Sequence, residues 1–449
     1  MKVLLISANS LREPYPVYPL GLDYVAGAIA AAHEVHCLDL NSLEEKDGLL
    51  QAVRAFEPDI IGFSLRNIDN TDALSPKGFM AHYLRVTETL RRCSSAPIVL
   101  GGTGFTLFAH EIMRLLGADY GIIGEGERLA VLLQALEKGE DPAGIPGVIV
   151  GEAPVPDPDP LPYAAARHFD PQGAHLDFYL RNGGMLNLQT KRGCPFRCVY
   201  CSYPYIEGRT LRCEPSEQIA RTAVMLQEAG AKYIFITDSA FNANAAQSLA
   251  VAQAFKKMGL TIPWGGFFAP VPMPADYFTI LAECGLKHVE FGTESLCDTV
   301  LASYGKPFSR RNVFAAHQAA VAAGLHVAHY FLFGGPGETA KTLAESIFHM
   351  DGLEKAVLFL FCGMRIFPHT PLYEIALKDR QLSFHQSILE PVFFQPPSIS
   401  LTDIAQQVEA HAQGKEHWIM AAGGELTSRV LTRLYRRGHT GPLWEYLIP

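Results

Sequence analysis

The segment that decides the architecture of this chain reads Lys191-Arg-Gly-Cys194-Pro-Phe-Arg-Cys198-Val-Tyr-Cys201. With nine cysteines in 449 residues, three at this spacing would arise by chance about 0.004 times per chain. A thioredoxin-like redox pair uses two cysteines and leaves the third without a role. A zinc site normally needs four ligands in paired clusters or with spaced histidines, and no second cluster follows.

Three thiolates on this cysteine loop (residues 191–201) instead suit a [4Fe–4S] cluster in which one iron lacks a protein ligand. An incomplete ligand set leaves a coordination position for a substrate or cosubstrate, as it does in catalytic zinc sites. The alternative is a closed metal site that a ligand far along the chain completes. The other six cysteines are scattered singly, mostly within apolar segments, as expected of buried structural thiols.

Strand and helix patterns alternate on both sides of the loop, which predicts an α/β chain with two parallel sheets. The predicted strands of the first sheet are Val3–Ser7, Val35–Leu40, Asp59–Leu65, Ile98–Gly102, Tyr120–Ile123 and Val148–Val150. Those of the second sheet are Leu186–Lys191, Tyr233–Thr237, Trp264–Ala269, His288–Gly292, His326–Phe333 and Val357–Ile366. We expect a doubly wound, Rossmann-like sheet followed by a partial (β/α)6 barrel, because a complete barrel needs eight units.

Four regions follow from this pattern. They are a Rossmann-like domain at 1–153, a proline-rich linker or connection at 154–184, the partial barrel at 185–375 and a small C-terminal region at 376–449. Five prolines between 154 and 162 predict an extended linker, since proline cannot continue a helix or donate to a strand ladder. Helical spacing at Leu401–Gly414 and Leu426–Arg437 predicts a mainly helical C-terminal region.

Composition and charge narrow the classes of function. An apolar fraction of 48% and a charged fraction of 18% are typical of a globular chain. The net charge of −9 argues against broad nucleic-acid binding. No apolar stretch reaches the roughly 18 residues of a transmembrane helix. The N-terminus is typical of a strand rather than a signal peptide, so we expect a cytoplasmic protein.

The cysteine loop, placed after the first barrel strand and with Tyr200 before its last cysteine, resembles that of the radical S-adenosylmethionine (SAM) superfamily. The resemblance implies that Cys194, Cys198 and Cys201 hold the cluster and that SAM chelates the open iron. One electron then cleaves SAM to methionine and a 5′-deoxyadenosyl radical, which removes a hydrogen atom from an unactivated carbon. The resemblance spans about 186–375, and four further segments appear in the expected order: 235–242, 290–295, 333–339 and 366–372.

The same resemblance implies residues for SAM binding and for proton transfer. The implied SAM-binding residues are Tyr200, Thr237, Asp238, Ser239, Glu294, Ser295, Gly335 and Arg365. The second-strand segment departs from the family pattern, because Thr237-Asp238-Ser239 stands where Gly-Gly-Glu is common. The catalytic candidates are His329, Tyr330 and His369, although histidines inside barrels are commonly just hydrogen-bonded.

A parallel-sheet domain directly before such a barrel resembles the cobalamin (B12)-binding subclass. The implied cobalamin contacts lie at strand ends and are Ser64, Leu65, Arg66, Asn67, Gly101, Gly102, Thr103, Gly124, Glu125, Gly126 and Glu127. No Asp-x-His-x-x-Gly segment supplies a lower cobalt ligand. We hypothesise that Arg66 or its neighbours keep that position free of a strong ligand. The alternatives are that the glycines only make tight turns and that Arg66 pairs with Asp69 on the surface.

The resemblance therefore implies a cobalamin-dependent radical SAM enzyme, and methylation of an unactivated carbon through methylcobalamin is the leading interpretation. Ring closure, rearrangement or oxidation with the same cofactors is the second. A non-catalytic iron–sulfur sensing module is the third. Aromatic and apolar stretches such as Phe359–Phe367 suit a small-molecule or lipid-like substrate, although buried strands are apolar as well. We expect a flavodoxin- or ferredoxin-type electron donor.

Overall fold

Two sheets organise the chain, and their apolar strands are largely buried on both faces. The computed structural model describes residues 1–12, 15–43, 48–158, 160–161, 166–173, 175–421 and 424–449. The strands of the first sheet are β1 (Lys2–Ser7), β2 (Glu34–Asp39), β3 (Ile60–Ser64), β4 (Ile98–Gly101), β5 (Tyr120–Ile122) and β6 (Val148–Val150). Their order is β2-β1-β3-β4-β5-β6. The chain first adds β2 on one side of β1 and then adds β3 and the later strands on the other side. This reversal of direction is the order of a doubly wound sheet and confirms the prediction.

The second sheet is entirely parallel and has seven strands. These are β7 (Met185–Leu188), β10 (Tyr233–Ile236), β11 (Trp264–Phe268), β12 (Leu286–Glu294), β13 (His326–Phe333), β14 (Ala356–Cys362) and β15 (Trp418–Met420), in that spatial order. A short hairpin of β8 (Lys191–Arg192) and β9 (Arg212–Cys213) flanks the cysteine loop. All six strands predicted for the partial barrel form, and the sheet stays open between β7 and β15.

Helices separate most successive strands and begin at residues suited to helix ends. Ser309 and Thr339 form capping boxes at two of them, each side chain accepting a backbone N–H of the first turn. The helices are α1 (Leu20–Ile29), α2 (Gly48–Phe56), α3 (Met80–Cys93), α4 (Thr103–Leu107), α5 (Ala109–Leu116), α6 (Leu129–Lys138), α7 (Leu176–Arg181), α8 (Tyr203–Ile206), α9 (Ser216–Glu228), α10 (Ala245–Lys257), α11 (Tyr277–Glu283), α12 (Asp298–Ser303), α13 (Arg310–Ala322), α14 (Ala340–Met350), α15 (Pro371–Lys378), α16 (Leu401–Ala412) and α17 (Gly424–Arg436).

One strand departs from the predicted parallel arrangement. β6 pairs antiparallel with β5, because connection 139–147 brings the chain back to the carboxyl end of β5 before β6 begins. The Ile123 amide donates there to the carbonyl oxygen of Gly147 over 2.8 Å. An edge strand of three residues has too short a pattern to reveal its direction from sequence.

Two short elements escaped the sequence prediction. β15 extends the barrel sheet from within the region expected to be mainly helical. α7 forms inside the predicted connection and buries Leu176 and Tyr179. Residues 159, 162–165 and 174 of that connection lie outside the described residues, and the described part at 154–158 has no regular structure.

Buried ion pairs join the two sheets. Glu125 accepts from Arg192 over 3.1 Å and from Arg212 over 2.5 Å, and Arg365 donates to Asp69 over 2.9 Å. These contacts bring the carboxyl ends of the first sheet's strands to face the cysteine loop. Among the described helices, none has both the length and the apolar character needed to cross a bilayer.

Candidate active site

The cysteine loop lies between β8 and α8, beyond the carboxyl end of the first barrel strand. Gly193 has a φ of +88°, and a side chain there would overlap the carbonyl oxygen of Thr210, so the turn requires glycine. Farther along the loop, the Val199 amide donates to the carbonyl oxygen of Tyr304 over 3.0 Å. Packing therefore fixes the backbone that carries the three cysteines.

Three free cysteines share this one short loop, which gives three thiolate donors and no fourth protein ligand from the same segment. Burial raises the pKa of Cys198, and it raises the pKa of Cys201 to about 12. A positively charged metal cluster would offset this cost, since a coordinated thiol is deprotonated outright. The donor set therefore fits a [4Fe–4S] cluster.

Glu294, Tyr200 and Lys306 form a polar cluster beside the thiols. Glu294 Oε1 accepts hydrogen bonds from the Tyr200 hydroxyl and from Lys306 Nζ, the latter over 2.9 Å. Glu294 ends β12 with a φ of +58°, a strained conformation for this residue type that aims its carboxylate. Its second oxygen, Oε2, is buried without a hydrogen-bond partner. Such an atom fits a hydroxyl donor from a bound ligand, as the ribose of SAM would supply.

Lys306 is a member of this cluster that the sequence prediction missed. Burial lowers the pKa of its ammonium group, but the Glu294 carboxylate together with Cys198 and Cys201 outweighs burial, so the pKa is raised. The Lys306 ammonium group in turn partly offsets the rise that burial causes in the pKa of Cys198. Lys306 lies on the loop between α12 and α13, outside the family segments, and its contact with Glu294 identifies it.

Asp238 has a different position from the one predicted. Its carboxylate accepts from the Thr190 amide over 2.7 Å, from the Thr190 hydroxyl and from Lys191 Nζ over 2.7 Å. Both side chains of the Asp238–Lys191 pair are 1% exposed. Next to it, the Ser239 hydroxyl donates to the carbonyl oxygen of Gly193 over 3.1 Å. These two residues tie β10 to the start of the cysteine loop, and Asp238 has no oxygen left for SAM.

Arg365 is also engaged by protein groups. Its Nε donates to Asp69 over 2.9 Å, and the two side chains are 3% and 0% exposed. Its remaining donors bind the carbonyl oxygens of Ile366 and Ile388, each over 2.7 Å. We therefore remove Arg365 from the SAM-binding set. The pairing also corrects the alternative in which Asp69 would bind Arg66.

The catalytic candidates are widely separated. His329 faces the helix layer, where its ring contacts the His317 ring over 3.1 Å and the Thr293 hydroxyl over 2.7 Å, and burial holds its pKa well below the usual value. His369 is exposed and stacks on Tyr205 with ring centroids 3.9 Å apart. Only Tyr330 points into the barrel. The contacts of both histidines are with other protein side chains, and the proton-transfer role stays a prediction.

Two other predicted SAM contacts lie away from the polar cluster. Ser295 is buried and contacts Ser346 of α14 over 3.4 Å, so it faces the helix layer. The Gly335 amide donates to the Tyr304 hydroxyl over 3.0 Å. A side chain at Gly335 would overlap the Tyr304 ring and Met364, so this glycine is required for packing.

A large cavity separates the carboxyl ends of the first sheet's strands from the barrel. It encloses about 1530 Å³ when its open mouth is included. Nine of the eleven predicted cobalamin contacts line it: Ser64, Arg66, Gly101, Gly102, Thr103, Gly124, Glu125, Gly126 and Glu127. Leu65 is instead buried in the core, and Asn67 does not line the cavity, its carbonyl oxygen accepting from the Tyr83 hydroxyl. The glycine-edged wall fits a flat, bulky ligand such as cobalamin.

Barrel residues complete this cavity, and most of them, unlike the predicted Thr237, carry no local sequence signal. Asn187, Gln189, Thr237 and Tyr203 line it from the side of the cysteine loop. Arg66 projects into it from the first domain, and its guanidinium group has no hydrogen-bond or ion-pair partner among the described residues. A guanidinium group at a cavity wall without a protein partner has all its hydrogen-bond donors available for a ligand.

The interior of the barrel is lined by aromatic side chains around one carboxyl group. Glu290 accepts from the Tyr330 hydroxyl over 2.8 Å and from Trp444 Nε1 over 3.0 Å. Burial raises the pKa of Glu290 to about 7. Tyr330 stacks on Phe359 with ring centroids 4.8 Å apart, and Phe267 meets it edge-on at 6.0 Å.

Comparisons with known proteins agree with this geometry. Family models of the B12 binding domain and of the Radical SAM superfamily match residues 10–133 and 188–350. A tryptophan 2-C-methyltransferase of Streptomyces laurentii is 25% identical over 82% of this chain and 73% of its own length. An anaerobic magnesium-protoporphyrin IX monomethyl ester cyclase of Cereibacter sphaeroides is 22% identical over 82% of this chain and 62% of its own. The structure of the radical SAM methyltransferase TsrM from Kitasatospora setae covers 99% of this chain and 97% of its own, with a TM-score of 0.87 at 22% identity.

A three-cysteine loop at the mouth of an open parallel barrel, facing a glycine-edged sheet, defines an enzyme class with two cofactor sites. The two family matches name that class. The chain belongs to the cobalamin-binding radical SAM enzymes. This finding confirms the resemblance drawn from the cysteine loop and from the preceding sheet.

Proposed function

We propose that this protein is a methyltransferase that acts on an unactivated carbon of a small molecule with the help of SAM and cobalamin. The observation that carries the proposal is that the cavity lined by the predicted cobalamin contacts extends to residues that flank the cysteine loop. Gly101 and Arg66 line it from the first sheet, and Arg192 and Tyr203, which flank the cysteines, line it from the barrel. The methyl donor and the methyl carrier would therefore lie on facing sides of one cavity.

We assign the cofactor contacts from these positions. Cys194, Cys198 and Cys201 would hold the [4Fe–4S] cluster, Glu294, Tyr200, Thr237 and Ser239 would surround SAM, and the nine cavity-lining residues named above would contact cobalamin. When bound, the cluster supplies an electron to SAM, and cobalamin carries the methyl group. Lys306 holds Glu294 and Tyr200 in place, and Asp238 holds the start of the cysteine loop. We keep the boundaries 1–153, 154–184, 185–375 and 376–449 as the proposed domain division.

We further propose a small, planar, aromatic substrate rather than a lipid. The barrel interior presents aromatic faces, with Phe267 37% exposed and Tyr330 half-buried above Phe359. Stacking on such faces favours flat rings with ring centroids roughly 4.5–7 Å apart. The tryptophan named for the Streptomyces relative and for the TsrM complex supports this substrate class.

The decisive experiment is an anaerobic assay of the reconstituted enzyme with cobalamin and SAM. Methyl-labelled SAM is supplied with a panel of indoles, other aromatic amines and a lipid extract, and products are read by mass spectrometry. Methyl transfer yields S-adenosylhomocysteine in a one-to-one ratio with a labelled aromatic product. Label found only in lipids would contradict the substrate class while leaving methylation intact.

The alternative outcome is radical chemistry without methyl transfer, for which the Cereibacter cyclase provides the precedent. Formation of 5′-deoxyadenosine without S-adenosylhomocysteine would identify ring closure, rearrangement or oxidation. A fully loaded protein that forms neither compound would be a sensing module. We propose a flavodoxin- or ferredoxin-type electron donor. Reduced flavodoxin should support turnover, and a chemical reductant should be able to replace the flavodoxin.

The unpaired guanidinium of Arg66 gives a second test of the cobalamin site. We propose that Arg66 occupies the lower side of the ring and keeps that position free of a strong ligand. The Arg66→Ala variant should then show an altered cobalt absorption spectrum, because water or another donor could enter. A spectrum identical to that of the unchanged enzyme would refute the role of Arg66 and leave the cavity assignment standing.

A further inference from the structure

Three ligand-type side chains converge in the lower barrel, at the amino-terminal ends of its strands and away from the cysteine loop. His288 and His326 are paired neighbours on β12 and β13, and Glu445 comes from the 3₁₀ turn Trp444–Leu447 near the C-terminus. His288 Nε2 lies 3.3 Å from His326 Nδ1 and 3.4 Å from Glu445 Oε2. One ligand atom from each of the three residues lies within 4.8 Å of the other two.

We propose that these three residues bind a divalent metal ion, with zinc as the best match, in a site separate from the cofactor sites. Ligand atoms about 2.0–2.2 Å from a tetrahedral zinc ion lie about 3.3–3.5 Å from one another. The two measured separations at His288 Nε2 agree with the edges of that tetrahedron. Two imidazoles and one carboxylate are a common zinc ligand set, and the fourth position is left for water.

The carboxylate gives a second and independent indication of a cation. Glu445 Oε2 is buried and has no hydrogen-bond partner, although a histidine nitrogen lies 3.4 Å away. The long contact of 3.4 Å to His288 Nε2 is the nearest ion-pair contact of this oxygen, and it leaves Oε2 without a well-aligned donor. A metal ion between the three ligand atoms would satisfy this oxygen.

The surroundings hold His288 in the orientation that metal binding requires. Its other ring nitrogen, Nδ1, lies 2.9 Å from the Tyr233 hydroxyl, so Nε2 is directed at the site. A side chain at Gly265 would overlap that hydroxyl, so this glycine leaves room for Tyr233 to contact His288 Nδ1. The imidazole of His288 also packs edge-on against Trp444 at 5.1 Å.

A metal ion here would fasten the end of the chain to the barrel. Trp444, next to Glu445, donates to Glu290 inside the barrel over 3.0 Å. The site would therefore set the position of a side chain that shapes the barrel interior, without taking part in electron transfer. Its role is structural, and it is independent of the proposed methyl transfer.

The test removes the cysteine loop as a competing zinc site. The full-length Cys194→Ala, Cys198→Ala, Cys201→Ala variant, prepared without a histidine tag, is dialysed against zinc and then against a weak chelator. We expect about one zinc per chain, and cobalt in its place should give the visible bands of a tetrahedral ion. Absence of stoichiometric zinc and of that cobalt spectrum would overturn the proposal.

Variants in the same background identify the ligands. Glu445→Gln keeps the shape of the side chain, and His326→Ala removes one imidazole. Each should lower bound zinc at least about tenfold and abolish the rise in melting temperature that zinc produces in the parent variant. The matched control is His411→Ala, since His411 and Asp351 form a surface pair 3.1 Å apart without a third ligand. Zinc retained equally in all four proteins would contradict the assignment, and circular dichroism shows that each is folded.

Discussion

The cysteine loop and the interdomain cavity are built in opposite ways. The loop is one continuous segment, 191–201, in which Gly193 makes the turn and a hydrogen bond from Val199 to Tyr304 fixes the backbone. The cavity gathers short strand ends from the whole first sheet and residues of the barrel, so no segment of the sequence encodes it. A motif therefore specifies the first site, and topology specifies the second. Substitutions in the loop should therefore reduce cluster binding without affecting cobalamin, and substitutions in the cavity wall should do the converse.

The largest effect is expected for Cys198→Ala. Loss of one of three cluster ligands should remove most of the iron and lower activity at least about 10³-fold, because the cofactor carries the chemistry. Cobalamin binding should persist, since the cavity wall is unchanged. Iron and sulfide analysis and the cobalamin absorption spectrum measure both effects. Cys213→Ala, at an exposed cysteine outside the loop, is the control and should retain iron. A cluster-loaded, active Cys198→Ala enzyme would break the comparison.

Gly101→Leu should produce the converse result. A Cβ atom at Gly101 meets only the carbonyl oxygen of Ile122, at 3.9 Å, and Gly101 lines the cavity, so we expect a leucine there to occupy cavity space. We expect cobalamin binding to weaken at least about 100-fold while the iron content stays normal. Equilibrium dialysis with cobalamin measures the loss.

The neighbouring glycine provides the matched control. Gly102 has a φ of +99°, and a side chain there would overlap the carbonyl oxygen of Leu65. Gly102→Ala should therefore destabilise the first domain itself, by about 1–3 kcal/mol in the free energy of unfolding. Normal cobalamin affinity in Gly101→Leu would show that the ligand lies elsewhere.

The same contrast explains which features the sequence could predict. Apolar periodicity reveals the alternating strands and helices, and the spacing of three cysteines reveals the cluster loop. Arg365 illustrates the limit, because its partner Asp69 lies 296 residues away in the chain, and Lys306 does so because no motif marks its contact with Glu294. A family segment indicates that a residue is near the site, but not which donors already occupy it. Asp238 matched the second-strand segment, yet it is saturated by Thr190 and Lys191.

Glu294→Gln is expected to have an intermediate effect that is confined to SAM. Glutamine has no negative charge, so the variant loses the charge-assisted interaction with Lys306. The substitution also alters the carboxylate whose unpartnered oxygen, Oε2, we assign to the ribose of SAM. The affinity for SAM should fall about 10- to 100-fold, while iron and cobalamin contents stay unchanged. Calorimetric titration with SAM measures the effect. Glu345→Gln, which alters a more exposed pair with Arg310, is the control, and equal SAM affinity in both variants would contradict the assignment.

The smallest effect is the pH dependence of stability that Glu290 contributes inside the barrel, where it accepts hydrogen bonds from Tyr330 and Trp444. Burial raises its folded-state pKa to about 7 from an ordinary value of 4.5. Between these values the folded protein holds a proton that the unfolded chain has released, so stability falls as pH rises through this window. The loss is at most about 3 kcal/mol. Glu290→Gln should flatten that part of the dependence, read as melting temperatures at pH 5 and pH 7.5, whereas the exposed Glu217→Gln should not. Equal slopes in the unchanged protein and Glu290→Gln would show that Glu290 is ionised throughout the window, even though it lies in an apolar, aromatic interior.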